Sequence, residues 1–233
     1  MNQTANNSIN DLYILDDDNQ NERLCGLPLL RIPSLKLSLQ IIPVTKIQFE
    51  YFLCDQPDPD FSESVYNEML SLNPRISPNQ ISADNYWKIF LTGIKPQEAQ
   101  KFASWLGDSY QIPTKEEWGK IYNALNKVKD VEFYTRILSD YHGPERVKNV
   151  LIKLKGITQN SSGNYGLTET LLMRNGVMEW VARPELHTEW GGMGVPKFHT
   201  GTSKPEAYVH ETPRLPGTYR FDHYGFRLVK RLD

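Results

Sequence analysis

Two segments, 95–107 and 113–125, constrain the fold most, because each is an amphipathic helix that needs a covering surface. In "KPQEAQKFASWLG", Pro96 stands at a first helical position and Gly107 at the end. Between them Ala99, Phe102, Ala103 and Leu106 form an i, i+3, i+4, i+7 stripe. In "PTKEEWGKIYNAL", Thr114 and Glu117 have the spacing of a capping box, and Trp118, Ile121, Tyr122 and Leu125 repeat the stripe. A capped pair with large aromatic faces calls for a sheet to bury them, which predicts an α+β domain.

The rest of the chain supplies that sheet in pieces. "LPLLRIPSLKLSLQIIPV" (27–44) alternates in part and is broken by prolines, which predicts one or two strands. In "VTKIQFEYFLCD", Thr45 is an expected N-cap with Gln48 as its capping-box partner. Ile47 and Tyr51, flanked by Phe52, are its expected buried face. Residues 55–85 read as a polar, proline-rich stretch. "GPERVKNVLIKLKG" predicts a further helix, with Val147, Val150, Leu151 and Leu154 on one face, Pro144 early and Gly156 late. The last seventy or so residues turn to Gly, Pro and aromatics, the pattern of short strands and long loops, with "YGFRLVKRL" as a closing strand. Residues 1–22, polar and acidic with Asp16, Asp17 and Asp18, are expected to be a disordered tail ahead of a single domain, 23–233.

Composition excludes several partners. At 233 residues with a net charge of -2, the chain offers no electrostatic reason to bind nucleic acid or an anionic membrane. No apolar run approaches the ~18–20 residues of a membrane span. The first twenty residues hold no Lys or Arg, unlike a secretory signal, so a cytoplasmic location is expected. Cys25 and Cys54 are too far apart for a redox or zinc pair and are expected to be free, Cys54 as a buried, inert thiol.

Four blocks, in order, resemble the formylglycine-generating enzyme and sulfatase-modifying-factor family. They are "PVTKIQFEYFL" (43–53), "TGIKPQEAQKFASWLGDSYQIPTKEEWGKIYNAL" (92–125), "GLTETLLMRNGVMEWV" (166–181), and "WGG" (190–192) with "YGFRLV" (224–229). The second is the most specific, through Ile112, Pro113, Thr114, Glu117 and Trp118. The resemblance implies an irregular C-type-lectin-like α+β domain with a mixed core sheet, two packed helices and long loops at 186–224; residues 128–160 depart from the family as an extra helical insertion. It also implies a copper site of two cysteines near the C-terminal Gly-Gly block, yet no cysteine follows residue 54. Thiolate is the soft ligand that chemistry needs. The family's calcium site, carried over, would use Glu169, the carbonyls of Asn175 and Val177, and Glu179, since hard oxygen ligands suit calcium. Otherwise Glu179 is a structural acceptor for loop N–H groups. Arg227 would point away from Phe226 and Leu228, as a structural donor or as part of a ligand site. Trp180, Phe226, Phe221 and Tyr224 are expected in the core.

Function is then expected to be non-catalytic binding of a protein or peptide, by an adaptor module on this scaffold. Four of the five histidines lie at 187, 199, 210 and 223, interleaved with aromatics and arginines. From that stretch Trp190, Phe198, His199, Tyr208, His210, Arg214 and Tyr219 are the candidate partner-binding residues, being types that dominate protein contacts. The 128–160 insertion is either a second partner surface or neutral. One alternative is a metal-dependent oxidoreductase, iron or copper, with a non-standard ligand set drawn from those histidines. Another is an assembly or maturation factor in a larger complex. No cofactor is expected beyond calcium.

Overall fold

The computed structural model describes residues 14–15, 22–56, 61–82, 84–125, 137–139, 141–161, 172, 175–183, 189–194 and 220–232. They form an α+β arrangement around two sheets. The larger sheet takes β1 (Ile14–Leu15), β2 (Leu29–Ile32), β3 (Leu37–Gln40), β4 (Tyr110–Gln111) and β8 (Val229–Arg231) in the order β1-β2-β3-β8-β4. All its pairings are antiparallel. The smaller sheet has the order β6-β5-β7, from β5 (Met178–Arg183), β6 (Glu189–Met193) and β7 (Tyr224–Gly225). There β5 runs antiparallel to β6 and parallel to β7. The expected pair of strands in 27–44 is therefore a hairpin. Its turn is a 3-10 turn at Pro33–Leu35, closed by Lys36 in the left-handed region (φ 52°).

Strand alternation buries the larger sheet on both faces. Leu30, Ile32, Leu37 and Leu39 pack with Trp118, Ile121, Tyr122 and Leu125 of α4 (Lys115–Leu125) and with Val147, Leu151 and Leu154 of α5 (Glu145–Ser161). Leu29 and Leu228 belong to a second cluster with Phe49 and Phe52 of α1 (Lys46–Asp55), Phe102 and Leu106 of α3 (Pro96–Leu106), and Trp180 and Phe226. The sequence pattern of α3 and α4 therefore holds residue by residue. Thr114 Oγ1 accepts from Glu117 N (3.1 Å) and Glu117 Oε2 from Thr114 N (2.9 Å), completing the expected capping box. Gly107 ends α3 at φ 136°, a backbone that other residues rarely adopt.

Several expectations need correction. Ile47 and Tyr51 are exposed, at 61% and 37%, and the buried side of α1 carries Lys46, Gln48, Phe49 and Phe52. The cap sets this rotation. Gln48 Oε1 accepts from Thr45 N (2.9 Å) and from buried Gln40 Nε2 (3.0 Å), and its Nε2 donates to Leu24 O (3.2 Å). Gln48 thus faces the sheet, and the side opposite it faces out. Cys54, expected buried, lies on the exposed side, while Cys25 is half-buried; both are free. The 55–85 stretch contains a helix, α2 (Glu63–Leu72), which buries Tyr66 and Met69 and packs Val65 and Leu70 against the second core cluster. Within the expected tail, Ile14 and Leu15 pair with Arg31 and Leu30, and Glu22–Leu24 form a 3-10 turn. Helix α5 continues through Gly156 to Ser161. Val147, Leu151 and Leu154 of its apolar face are buried in the chain's own core with Val150 packed against them, while Ile152 stands 46% exposed. Phe221 is only half-buried, whereas Tyr224 is buried as expected.

The expected closing strand is two strands in two sheets. β7 pairs with β5, β8 pairs with β3 and β4, and residues 226–228 cross between them. Gly225 starts that crossing under Leu91, where an added Cβ would lie 2.5 Å from the Leu91 carbonyl oxygen and 2.8 Å from Val177 Cγ1. Backbone oxygen cannot turn aside as a side chain can. Gly225→Ala is expected to lower stability by about 1–3 kcal/mol, measured by urea unfolding.

Candidate functional site

The position that the family resemblance assigns to calcium holds a buried guanidinium. Arg227 reaches it from the crossing segment, and Glu179 from β5; both are 0% exposed. Arg227 donates through Nε to Glu179 Oε2 (2.9 Å) and through Nη2 to Oε1 (2.8 Å), a fork-on-fork pair. Its Nη1 donates to the carbonyls of Ile41 (2.5 Å) and Gln40 (3.3 Å), just past β3. Asn175 enters with its side chain rather than its carbonyl. Its Nδ2 donates to Glu179 Oε1 (2.6 Å), and its Oδ1 accepts from Val177 N (2.9 Å). Both Glu179 oxygens therefore have donors, and the local positive charge is supplied by the protein. Glu179 is a structural acceptor, for a guanidinium and an amide rather than for the expected loop N–H groups. Glu169 lies outside the described residues.

Of the candidate partner-binding residues, only Trp190 falls among the described ones. It sits on β6 opposite Ala182, half-buried against the second core cluster. Phe198, His199, Tyr208, His210, Arg214 and Tyr219 lie outside the described residues. Their stretch ends at an anchor, Arg220, whose side chain is 4% exposed. It makes two 2.6 Å bonds to Glu98, one of 2.9 Å to Gly93 O, and one of 2.9 Å to Glu68. His223 follows, with Nδ1 2.7 Å from Asp222 Oδ1. Among the described residues no three His, Cys, Asp or Glu side chains converge as metal ligands would.

A different surface emerges on α1. Ile47 and Tyr51, one turn apart, stand outward, and Tyr51 meets Trp105 of α3 edge-on at 5.9 Å. Trp105 is fastened beneath: its Nε1 donates to Asp55 (2.7 Å), its carbonyl accepts from Arg23, and the Arg23 guanidinium lies 5.2 Å over its ring. Beside it an open groove of about 580 Å³ runs between the two helices, lined by Phe52, Gln56, Gln97, Gln100, Lys101, Ser104 and Trp105. Glutamine and serine offer both donors and acceptors, and aromatic edges offer apolar contact. That mixture suits a peptide, whose backbone presents both kinds of partner. The sequence carried a sign of it: Ile47/Tyr51 and Phe49/Phe52 are two apolar stripes on one ten-residue helix, and only one can face the core.

At the other end of this face, Lys46 is buried and donates through Nζ to the carbonyls of Pro74 (3.2 Å) and Lys88. Burial pulls its ammonium down to about 7; Lys88 and Arg75 repel it further, and Glu50 opposes them. The first turn of α1 contains no acidic residue.

Two outcomes follow for stability. Arg227→Met strands the Glu179 carboxylate and is expected to cost about 3–5 kcal/mol in urea unfolding, with Arg227→Met/Glu179→Leu recovering part of the loss. For Lys46, the unfolded chain keeps its proton to its ordinary range near 10.5, while the folded chain releases it near 7. In between, the unfolded state binds more protons, so stability rises with pH, by at most about 1.4 kcal/mol per unit. Unfolding curves from pH 7 to 9 are expected to show this rise, and Lys46→Met to remove it; above that window Cys25, raised by burial, acts in the opposite sense.

Comparison with known proteins finds no family model, curated protein or solved structure that matches this chain.

Proposed function

We propose that the chain is a non-catalytic protein- or peptide-binding module on a formylglycine-generating-enzyme-like, C-type-lectin-like scaffold. The scaffold reading is supported by where the resembling blocks fall. Residues 43–53 hold the start of α1; 92–125 hold α3, β4 and α4; 166–181 hold most of β5; 190–192 lie in β6; 224–229 run from β7 into β8. The closing strand β8 lies beside the N-terminal hairpin in one sheet.

The observation that carries the binding reading is the outward pair Ile47 and Tyr51 beside the α1–α3 groove. Exposed aliphatic and aromatic side chains side by side, over a rigid aromatic base, have the composition of a contact centre. The core under them is dense: Phe49, Phe52, Phe61, Phe102 and Trp105 lie with ring centroids 5.3–5.8 Å apart in neighbouring pairs. Such a base holds the helix face in one geometry, which reduces the ordering cost of binding. On this reading α1 and α3 supply the contact, supported by the exposed pair and the groove beside it.

Panning a random peptide library on the full chain tests the reading. Enriched peptides are expected to bind with micromolar or better affinity, to weaken about tenfold or more on Tyr51→Ala with Ile47→Ser, and to tolerate Trp190→Ala. Sensitivity to Trp190→Ala alone would move the site to β6, and failure to enrich any binder would remove the proposal.

A further inference from the structure

We propose that the α1 face docks a partner-protein segment in which apolar side chains stand beside carboxylates. This rests on the binding-module reading and names the partner chemistry of the same surface.

The argument is one of charge complementarity. Two cations stand beside the N-terminal half of α1 among the described residues, Lys88 and Arg75; buried Lys46 donates to the carbonyls of Lys88 and of Pro74, the residue before Arg75. The one carboxylate facing them is Glu50, and it is shared. Its Oε1 lies 3.0 Å from Arg75 Nη2 and accepts from the Tyr66 hydroxyl (2.5 Å). Arg75 is 62% exposed at its side chain, so its guanidinium serves Glu50 on one side and solvent on the other. It also lies 5.9 Å over the Tyr66 ring, which fixes its place. Lys88 is held similarly, 6.0 Å over Trp87. Glu50 is three residues from Ile47 on the helix surface, so Arg75, which pairs with it, lies on the Ile47 side of the apolar pair.

Lys88 and Arg75 against Glu50, the carboxylate paired with Arg75, leave net positive charge beside an apolar patch. Both features act on one ligand. Apolar side chains would cover Ile47 and Tyr51, and neighbouring carboxylates would face Arg75 and Lys88. A basic or purely neutral segment would meet repulsion or leave the charges without partners, which is how such a surface discriminates. The groove toward α3, mostly uncharged but for Lys101, would take the following stretch of backbone.

The experiment uses the peptides enriched on the full chain. Asp and Glu beside apolar residues are expected to be over-represented. Arg75→Glu/Lys88→Glu is expected to weaken them about tenfold or more, with a cooperative melting transition showing that the variant folds. Peptides with Lys in place of their acids should regain affinity for that variant and lose it for the wild type. Raising salt to about 0.5 M should weaken binding to the wild type. Enriched peptides that need Tyr51 but carry no acidic bias would overturn the charge argument and leave the binding surface. Peptides indifferent to Tyr51 would overturn both. Co-sedimentation with phosphatidylserine-containing vesicles, lost in Arg75→Glu/Lys88→Glu, would reassign the patch to lipid and overturn the proposal.

Discussion

The Arg227–Glu179 pair is the interaction on which the arrangement of the two sheets depends. Glu179 belongs to β5 of the smaller sheet, and the carbonyls of Gln40 and Ile41 lie at the end of β3 of the larger one and one residue beyond it. A single guanidinium serves both, from a three-residue crossing that leaves one sheet and enters the other. Removing two charges from water costs several kcal/mol each, and the cost is met only when every donor and acceptor is placed. That requirement fixes geometry more tightly than apolar packing would, because a Leu in the same space could slide and a fork-on-fork pair cannot. Around it the crossing is equally constrained. Gly225 passes under Leu91 with no room for a Cβ, and Trp180 Nε1 donates to Ile94 O at 2.8 Å.

The parts of the fold that were legible in the sequence are those set by local rules. The caps at Thr45 and Thr114, the stripes of α3 and α4, and the core roles of Trp180 and Phe226 need only spacing and side-chain type. What was not legible depends on non-local partners. The rotation of α1 follows from Gln48 meeting Gln40 and Leu24, residues eight and twenty-four positions away. The split of the C-terminal segment into β7 and β8 follows from pairing with β5 on one side and β3 on the other, which alternation within 224–231 does not encode. α2 carries Val65, Tyr66, Met69, Leu70 and Leu72 at helical spacing, but the prolines and polar residues around it dominate the composition of 55–85.

The same distinction holds for the candidate site. Glu179 and Arg227 were both singled out, yet as members of separate hypotheses, because forty-eight residues separate them and nothing local says they meet. Sequence reasoning also weighted aromatic and histidine density, which drew attention to 186–224. Density records composition; it does not tell which rings cover core and which face water. Trp190 illustrates this, since it packs against the second core cluster.

For α1 the outward stripe is a consequence of how the inward one is held. Turning the helix to bury Ile47 and Tyr51 would carry Gln48 away from Gln40, Thr45 and Leu24 and would release Lys46 from two carbonyls. Each of those groups is buried, and each bond lost leaves a polar atom without water to replace it. It would also pull Phe49 and Phe52 out of the aromatic cluster, where each touches several rings. Burying one isoleucine and one tyrosine returns roughly 1.5–3 kcal/mol apiece, less than that combined loss. The apolar pair is therefore held at the surface by polar bonds beneath it.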